Sequence, residues 1–174
     1  PVSLKVSEQI IDKMNFKHFM LKEIYDQPET AKNWLENYLI KNSENGQYQI
    51  NYPFDTAFLD AIERIEIIAC GTSKHAAMVG SFLLEQFSGI PTNVYYASEF
   101  RYSPPPLLPN TLTIGVTQSG ETADTIAAVD MEIKRRSSIQ DNKFKPNLIA
   151  ITNRKESSIG RQVSNIIDIC AGIE

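Results

Sequence analysis

Five short apolar runs rich in β-branched residues, at 65–69, 92–97, 111–117, 147–152 and 165–170, alternate with helix-like segments along this chain. Strands joined through helices pair parallel, because each crossover returns the chain to run the same way. The runs are nearly continuous in apolar residues, as strands covered on both faces must be. The pattern predicts an α/β fold: a five-stranded parallel sheet with helices on both faces, a flavodoxin-like three-layer sandwich. Five strands arrange naturally in the order 2-1-3-4-5. That order makes the first and third strands neighbours and sets their C-terminal loops side by side, where open sheets bind ligands.

Those two loops carry the chemistry. Thr117-Gln118-Ser119-Gly120-Glu121-Thr122 joins the third run to a helical pattern at 121–136, and Cys70-Gly71-Thr72-Ser73 joins the first run to one at 73–87. Short hydroxyl residues and glycine at such a junction leave first-turn amides open at the positive end of a helix dipole. The functional reading gives the Ser119 and Thr122 hydroxyls and the amides of 118–120 to a phosphate, with Gly120 admitting close backbone approach. Thr72 and Ser73 then meet phosphate or sugar hydroxyls. An ordinary pair of capped turns explains the same residue types. The 117–122 loop has no lysine, unlike a Walker A loop, and no G-x-G-x-x-G occurs, so a small phosphate ester fits better than a nucleotide. Glu121 suits a helix start but repels phosphate, so it reads as a capping or backbone-orienting group. Thr152-Asn153 ends the fourth run on the same edge and is a further candidate contact. His75 can serve as a proton shuttle, though a surface helix position explains it and His18 more simply.

The remaining segments frame the sheet. Residues 1–17 read as a linker or tail, and 18–174 as one domain with an N-terminal helical segment at 18–64. Phe19, Ile24, Ala31, Trp34, Leu35, Tyr38 and Leu39 fall largely on one helical face, Trp34 as a packing residue. Pro28 should break that pattern into two helices, and Asn45-Gly46 should end it. Asp55 suits the cap of a short helix at 56–64. In the 73–87 helix, Met78, Phe82, Leu83 and Phe87 are expected inward, with Ser88-Gly89-Ile90-Pro91 as the stop. Ser98-Glu99-Phe100-Arg101-Tyr102 forms a helical turn closed by Pro104-Pro105-Pro106. Lys134-Arg135-Arg136 reads as a solvated cluster that suits a helix C-terminus, and Asn153 with Glu156 as a capping pair.

With 42% apolar and 22% charged residues the composition is that of a soluble globular chain. A net charge of −4 gives no general attraction to nucleic acid or anionic membrane, so an anionic ligand must be held locally. No apolar run approaches the roughly 18 residues of a spanning helix, and no signal-peptide pattern opens the chain. Cys70 and Cys170, without CxxC spacing, read as reduced, buried thiols of a cytoplasmic protein. The reading calls for no metal and no cofactor.

Longer stretches are more specific. His18-Phe19-Met20-Leu21-Lys22-Glu23-Ile24-Tyr25-Asp26-Gln27-Pro28, Ala69-Cys70-Gly71-Thr72-Ser73, Ala97-Ser98-Glu99-Phe100-Arg101-Tyr102, Gln118-Ser119-Gly120-Glu121-Thr122-Ala123-Asp124-Thr125 and Ala171-Gly172-Ile173-Glu174 follow one another in order. Together they resemble the glutamine–fructose-6-phosphate aminotransferase (glucosamine-6-phosphate synthase) family, in the first of its two sugar isomerase (SIS) lobes. The resemblance implies the same five-stranded fold and a homodimer. It also implies binding of fructose 6-phosphate or glucosamine 6-phosphate through Thr72, Ser73, Thr117, Gln118, Ser119 and Thr122. Thr117 stands where the family usually has serine, which keeps the hydroxyl. In the family a separate glutaminase domain supplies ammonia, and a second SIS lobe supplies the glutamate base, ring-opening histidine and Schiff-base lysine. None of those matches a residue here, so no catalytic residue is assigned. With Pro1 at the start and Glu174 at the end, the expectation is a fragment, inactive alone. The alternatives are a stand-alone SIS module that senses a sugar phosphate and regulates a partner, or a structural α/β domain with merely capped turns.

Overall fold

A computed structural model describes residues 13–43 and 45–172; the tail assigned to 1–17 lies outside them up to residue 12, and Ile173-Glu174 lie outside as well. The chain divides into two compact units, Pro1–Asn51 with Cys170–Glu174, and Tyr52–Ile169.

In the first unit, α1 (Phe19–Tyr38) is one continuous helix with Pro28 inside it, not two. A proline removes one ladder hydrogen bond, here to the Ile24 carbonyl. Pro28 is exposed, so water can satisfy that carbonyl. The helix also stops earlier than expected. Its end feeds β1 (Leu39–Lys41), which pairs antiparallel with β2 (Tyr48–Ile50), and Leu39 stands opposite Ile50. Asn45-Gly46 is therefore a hairpin turn rather than a helix stop: Gly46 takes φ 69° and its amide donates to the Asn42 carbonyl. Of the apolar stripe only Tyr38 is buried; the Trp34 ring lies 5.0 Å from Tyr38 but stays partly exposed.

The second unit holds β3 (Arg64–Ala69), α2 (Gly71–Ser88), β4 (Thr92–Tyr96), α3 (Ala97–Phe100), β5 (Thr111–Val116), α4 (Ala123–Ser137), β6 (Asn147–Thr152), α5 (Ser158–Gln162) and β7 (Ile166–Asp168). The five strands form one parallel sheet in the order β4-β3-β5-β6-β7. Counted within the sheet, that is the order read from the sequence. Asp55 does cap, accepting from the Ala57 amide at 2.9 Å, but the element it starts is a short 3-10 turn, Ala57–Ala61.

The inward face of α2 differs from expectation. Ala77 is buried and Leu84 packs on the sheet, whereas Met78, Phe82, Leu83 and Phe87 are 43%, 70%, 48% and 80% exposed. Ala77 lets the helix lie close to the sheet and Leu84, two turns on, fills the contact, while those four positions fall off that face by helical spacing.

The basic triplet at the end of α4 is likewise not a solvated cluster. Thr125, Val129, Glu132 and Arg136 share the sheet-facing stripe, and Glu132 and Arg136 are buried. Arg136 Nε donates to Glu132 Oε1 at 2.6 Å, and its Nη1 to the Leu108 carbonyl at 3.1 Å. Arg135 donates to Glu132 Oε2 and to the Pro105 carbonyl. Only Lys134 points outward, paired with Asp130. The Pro104–Leu108 segment, which a sequence reading sees as a helix breaker, thus supplies carbonyls that two arginines need.

Glu66, 3% exposed, stands on β3 opposite Thr113 of β5. Burial, then the Glu132 charge, push its carboxyl above the usual value of 4.5, while Arg136, Arg64 and Arg135 pull it back. A carboxyl whose folded pKa is raised contributes most below its unfolded value and loses that contribution as pH rises through the folded one. Glu66→Gln should therefore raise stability at neutral and mildly alkaline pH and flatten the fall in stability that begins above pH 4.5. Urea unfolding across that range tests this; a variant less stable than the parent at alkaline pH would contradict it.

Candidate functional site

Ala69 of β3 stands opposite Val116 of β5, so the two strands end at the same level and their loops leave the sheet side by side. Each loop opens through a glycine in the left-handed region, Gly71 at φ 53° and Gly120 at φ 70°. The first helical bonds of α2 and α4 run from the Lys74 amide to Cys70 and from the Ile126 amide to Thr122. Among the described residues, the amides of Thr72, Ser73, Ser119, Gly120 and Thr122–Thr125 donate to no protein acceptor. These are the orphan donors of two helix N-termini, and both dipoles present their positive ends at this edge. The arrangement suits an anion, and no lysine or arginine stands in either loop.

The hydroxyls are not equivalent. Thr117 is buried, and its Oγ1 shares a 2.8 Å hydrogen bond with Thr122 Oγ1 across the base of the loop. Thr72 is exposed, while Ser73, Gln118, Ser119 and Thr122 are half-buried. The Ser119 hydroxyl accepts from the Glu121 amide at 3.2 Å. The six sequence-derived residues thus flank adjacent loops, with Thr117 set beneath the others.

A third segment braces this loop. The Gln118 carbonyl accepts from Thr152 Oγ1 at 3.2 Å and from the Asn153 amide at 3.0 Å. The Gly120 carbonyl accepts from the Ile159 amide at 3.1 Å. Glu121 turns away from the orphan amides: its Oε1 accepts from the Ser158 amide at 2.8 Å and its Oε2 from the Ser158 hydroxyl at 2.6 Å. Those two bonds, the hydroxyl's first, hold the Glu121 carboxyl below its ordinary value. Glu121 is a cap, as read from the sequence, but for α5 rather than for its own helix. The capping pair Asn153–Glu156 is not formed; α5 starts at Ser158, with Ser157 before it. Thr152 is fully buried and supports the loop from behind.

Sequence reasoning also missed the ion pair between Arg101 Nη1, at the end of α3, and Asp124 Oδ1 in the first turn of α4, 2.7 Å apart. Nothing in local spacing signals it, because the two residues meet only when α3 packs against α4. His75 and His18 are exposed, Lys74 Nζ sits 3.7 Å above the Tyr96 ring, and Cys70 and Cys170 are half-buried rather than buried. Among the described residues no group of His, Cys, Asp and Glu could hold a metal ion, and no helix is long and apolar enough to cross a membrane.

Residues 58–174 match the SIS domain family. The whole chain is 55% identical to a stretch of the glutamine–fructose-6-phosphate aminotransferase (isomerizing) of Thermosynechococcus vestitus and 49% identical to that of Synechocystis, in each case over 28% of the relative's length. The chain thus spans just over a quarter of these relatives. Among solved structures, the C-terminal domain of glucosamine-fructose-6-phosphate aminotransferase from Francisella tularensis superposes with a TM-score of 0.81 at 30% identity, covering 95% of this chain and 43% of that one. Glucosamine-6-phosphate deaminase from Thermotoga maritima shares the fold, with a TM-score of 0.63 at 22% identity over 87% of this chain and 40% of that one.

Proposed function

The chain belongs to the SIS domain family, and on that premise we propose that it binds the phosphate of fructose 6-phosphate or glucosamine 6-phosphate as the first sugar isomerase lobe of a glutamine-dependent aminotransferase. The observation that carries this reading is the register of Ala69 with Val116, which sets two amide-rich loops next to each other. A phosphate dianion there would accept from Ser73, Ser119 and Thr122 hydroxyls and from first-turn amides of both helices, with charge supplied by dipoles rather than by a side-chain cation. Thr117 acts mainly by holding Thr122, Gln118 by presenting its backbone, and Thr72 meets the sugar side of the ester. The full-length enzyme would join nitrogen released from glutamine to the sugar, with the base, the ring-opening acid and the carbonyl-trapping amine supplied outside these residues. A homodimeric, cytoplasmic enzyme is the setting this reading implies.

Isothermal titration of the 174-residue chain with fructose 6-phosphate tests it. The Ser119→Ala/Thr122→Ala variant should lose at least about tenfold in affinity, the worth of one charge-assisted hydrogen bond, and should melt somewhat lower because the buried Thr117 hydroxyl loses its Thr122 partner. Equal affinity in parent and variant would remove the proposed site.

A further inference from the structure

A phosphate at the 117–122 loop would have two carboxylates as close neighbours in the chain, Glu121 just before and Asp124 just within the first turn of α4. Either one, left free, would oppose a dianion at the same amides, and the loop has no cation of its own to offset it. Both are engaged elsewhere, in different ways. Glu121 is held by hydrogen bonds from Ser158, which turn it aside but leave its charge. Asp124 is met by a full opposite charge, the Arg101 guanidinium.

We propose that Arg101 is an affinity-setting residue of this phosphate site, acting through Asp124: it cancels the one carboxylate in the first turn of α4, so that the helix N-terminus presents net positive potential to the ligand. The inference rests on the phosphate reading of the loop. Arg101 touches no ligand in this account and works as a positioning and neutralising group. Its side chain and that of Asp124 are 35% and 39% exposed, so the pair adds little to folding. An effect of its removal on anion binding would therefore not be a by-product of unfolding. Asp124 by itself suits the helix dipole. The dipole thus stabilises the empty helix with Asp124 in place, while Arg101 keeps that same charge from competing with the ligand.

Fructose 6-phosphate titrations of the parent chain, Arg101→Ala, Asp124→Asn and the double variant, each at low and raised salt, separate the possibilities. Arg101→Ala should weaken binding about fivefold at low salt, as expected for one unit charge at a helix end, and less at raised salt, where exposed charges are screened. The double variant should return to near parental affinity. Rescue of that kind marks charge, because the double variant leaves α3 as untethered as the single one. A double variant as weak as Arg101→Ala, or an Arg101→Ala variant as tight as the parent, would overturn the proposal while leaving the phosphate site intact. If the parent chain took up no fructose 6-phosphate, the site itself and this role would fall together.

Discussion

Gly120→Ala is expected to destroy ligand binding and to destabilise the fold at once. A Cβ at this position would lie 1.9 Å from Ser157 Oγ and 3.0 Å from Thr152 Oγ1. Ser157 cannot simply swing aside, because its hydroxyl donates to the Arg154 carbonyl at 2.6 Å in the turn that starts α5. The backbone adds its own cost: φ of 70° disfavours an L side chain by about 1–2 kcal/mol. The loop must therefore lift away from β6 and α5, breaking the bonds to the Gln118 and Gly120 carbonyls that fix its shape. Fructose 6-phosphate affinity should fall by more than about tenfold, since several amides lose their common focus together. Thermal unfolding with and without ligand reads both effects. Adding Ser157→Gly should recover part of the stability, because it relieves the contact but not the backbone strain. A Gly120→Ala chain that binds as tightly as the parent would mean that the brace does not shape the site.

Arg136→Leu should produce the largest loss of stability, about 3 kcal/mol, by leaving Glu132 buried with a poorer partner. Arg136 is 1% exposed and Glu132 0%, and only Arg135, which is partly exposed, would remain to balance the carboxylate. Glu66 makes the loss worse, because its charge already opposes that of Glu132. Urea unfolding of Arg136→Leu and of Arg136→Leu/Glu66→Gln distinguishes a charge effect from lost packing. Partial recovery in the double variant is expected; equal loss in both would assign the effect to packing.

How far the sequence alone reached depended on the range of the forces involved. Strand order and the pairing of the two loops were legible because β-branched runs and crossover handedness are local rules with global consequences. β5 and β6 match their apolar runs to within a residue. The hairpin at 39–50 was not read, because helix periodicity through Tyr38 overshadowed an Asn-Gly signal set between two strands of only three residues each. The orientation of α2 was misjudged by assuming that the largest apolar residues face the sheet, whereas Ala77 and Leu84 do. Arg136 looked solvated although Glu132 stands four residues before it, a spacing that pairs charges on any helix, because only the packing of α4 shows that the pair is buried and that the Leu108 carbonyl joins it. At the candidate site, the loop carrying Ser119, Gly120 and Thr122 was legible from residue type as a strand-to-helix junction. The brace from Thr152, Ser157 and Ser158 was not, because it depends on β6 lying beside β5. The left-handed Gly120 makes sense only with that neighbour present.

Amide chemical shifts of the isotopically labelled chain, followed during titration with fructose 6-phosphate, test most directly whether two loops grip one phosphate. The account predicts that the signals of Thr72 and Ser73 and those of Ser119 through Asp124 move together and saturate at a single ligand concentration. Movement confined to one loop, or saturation of the two at different concentrations, would contradict it.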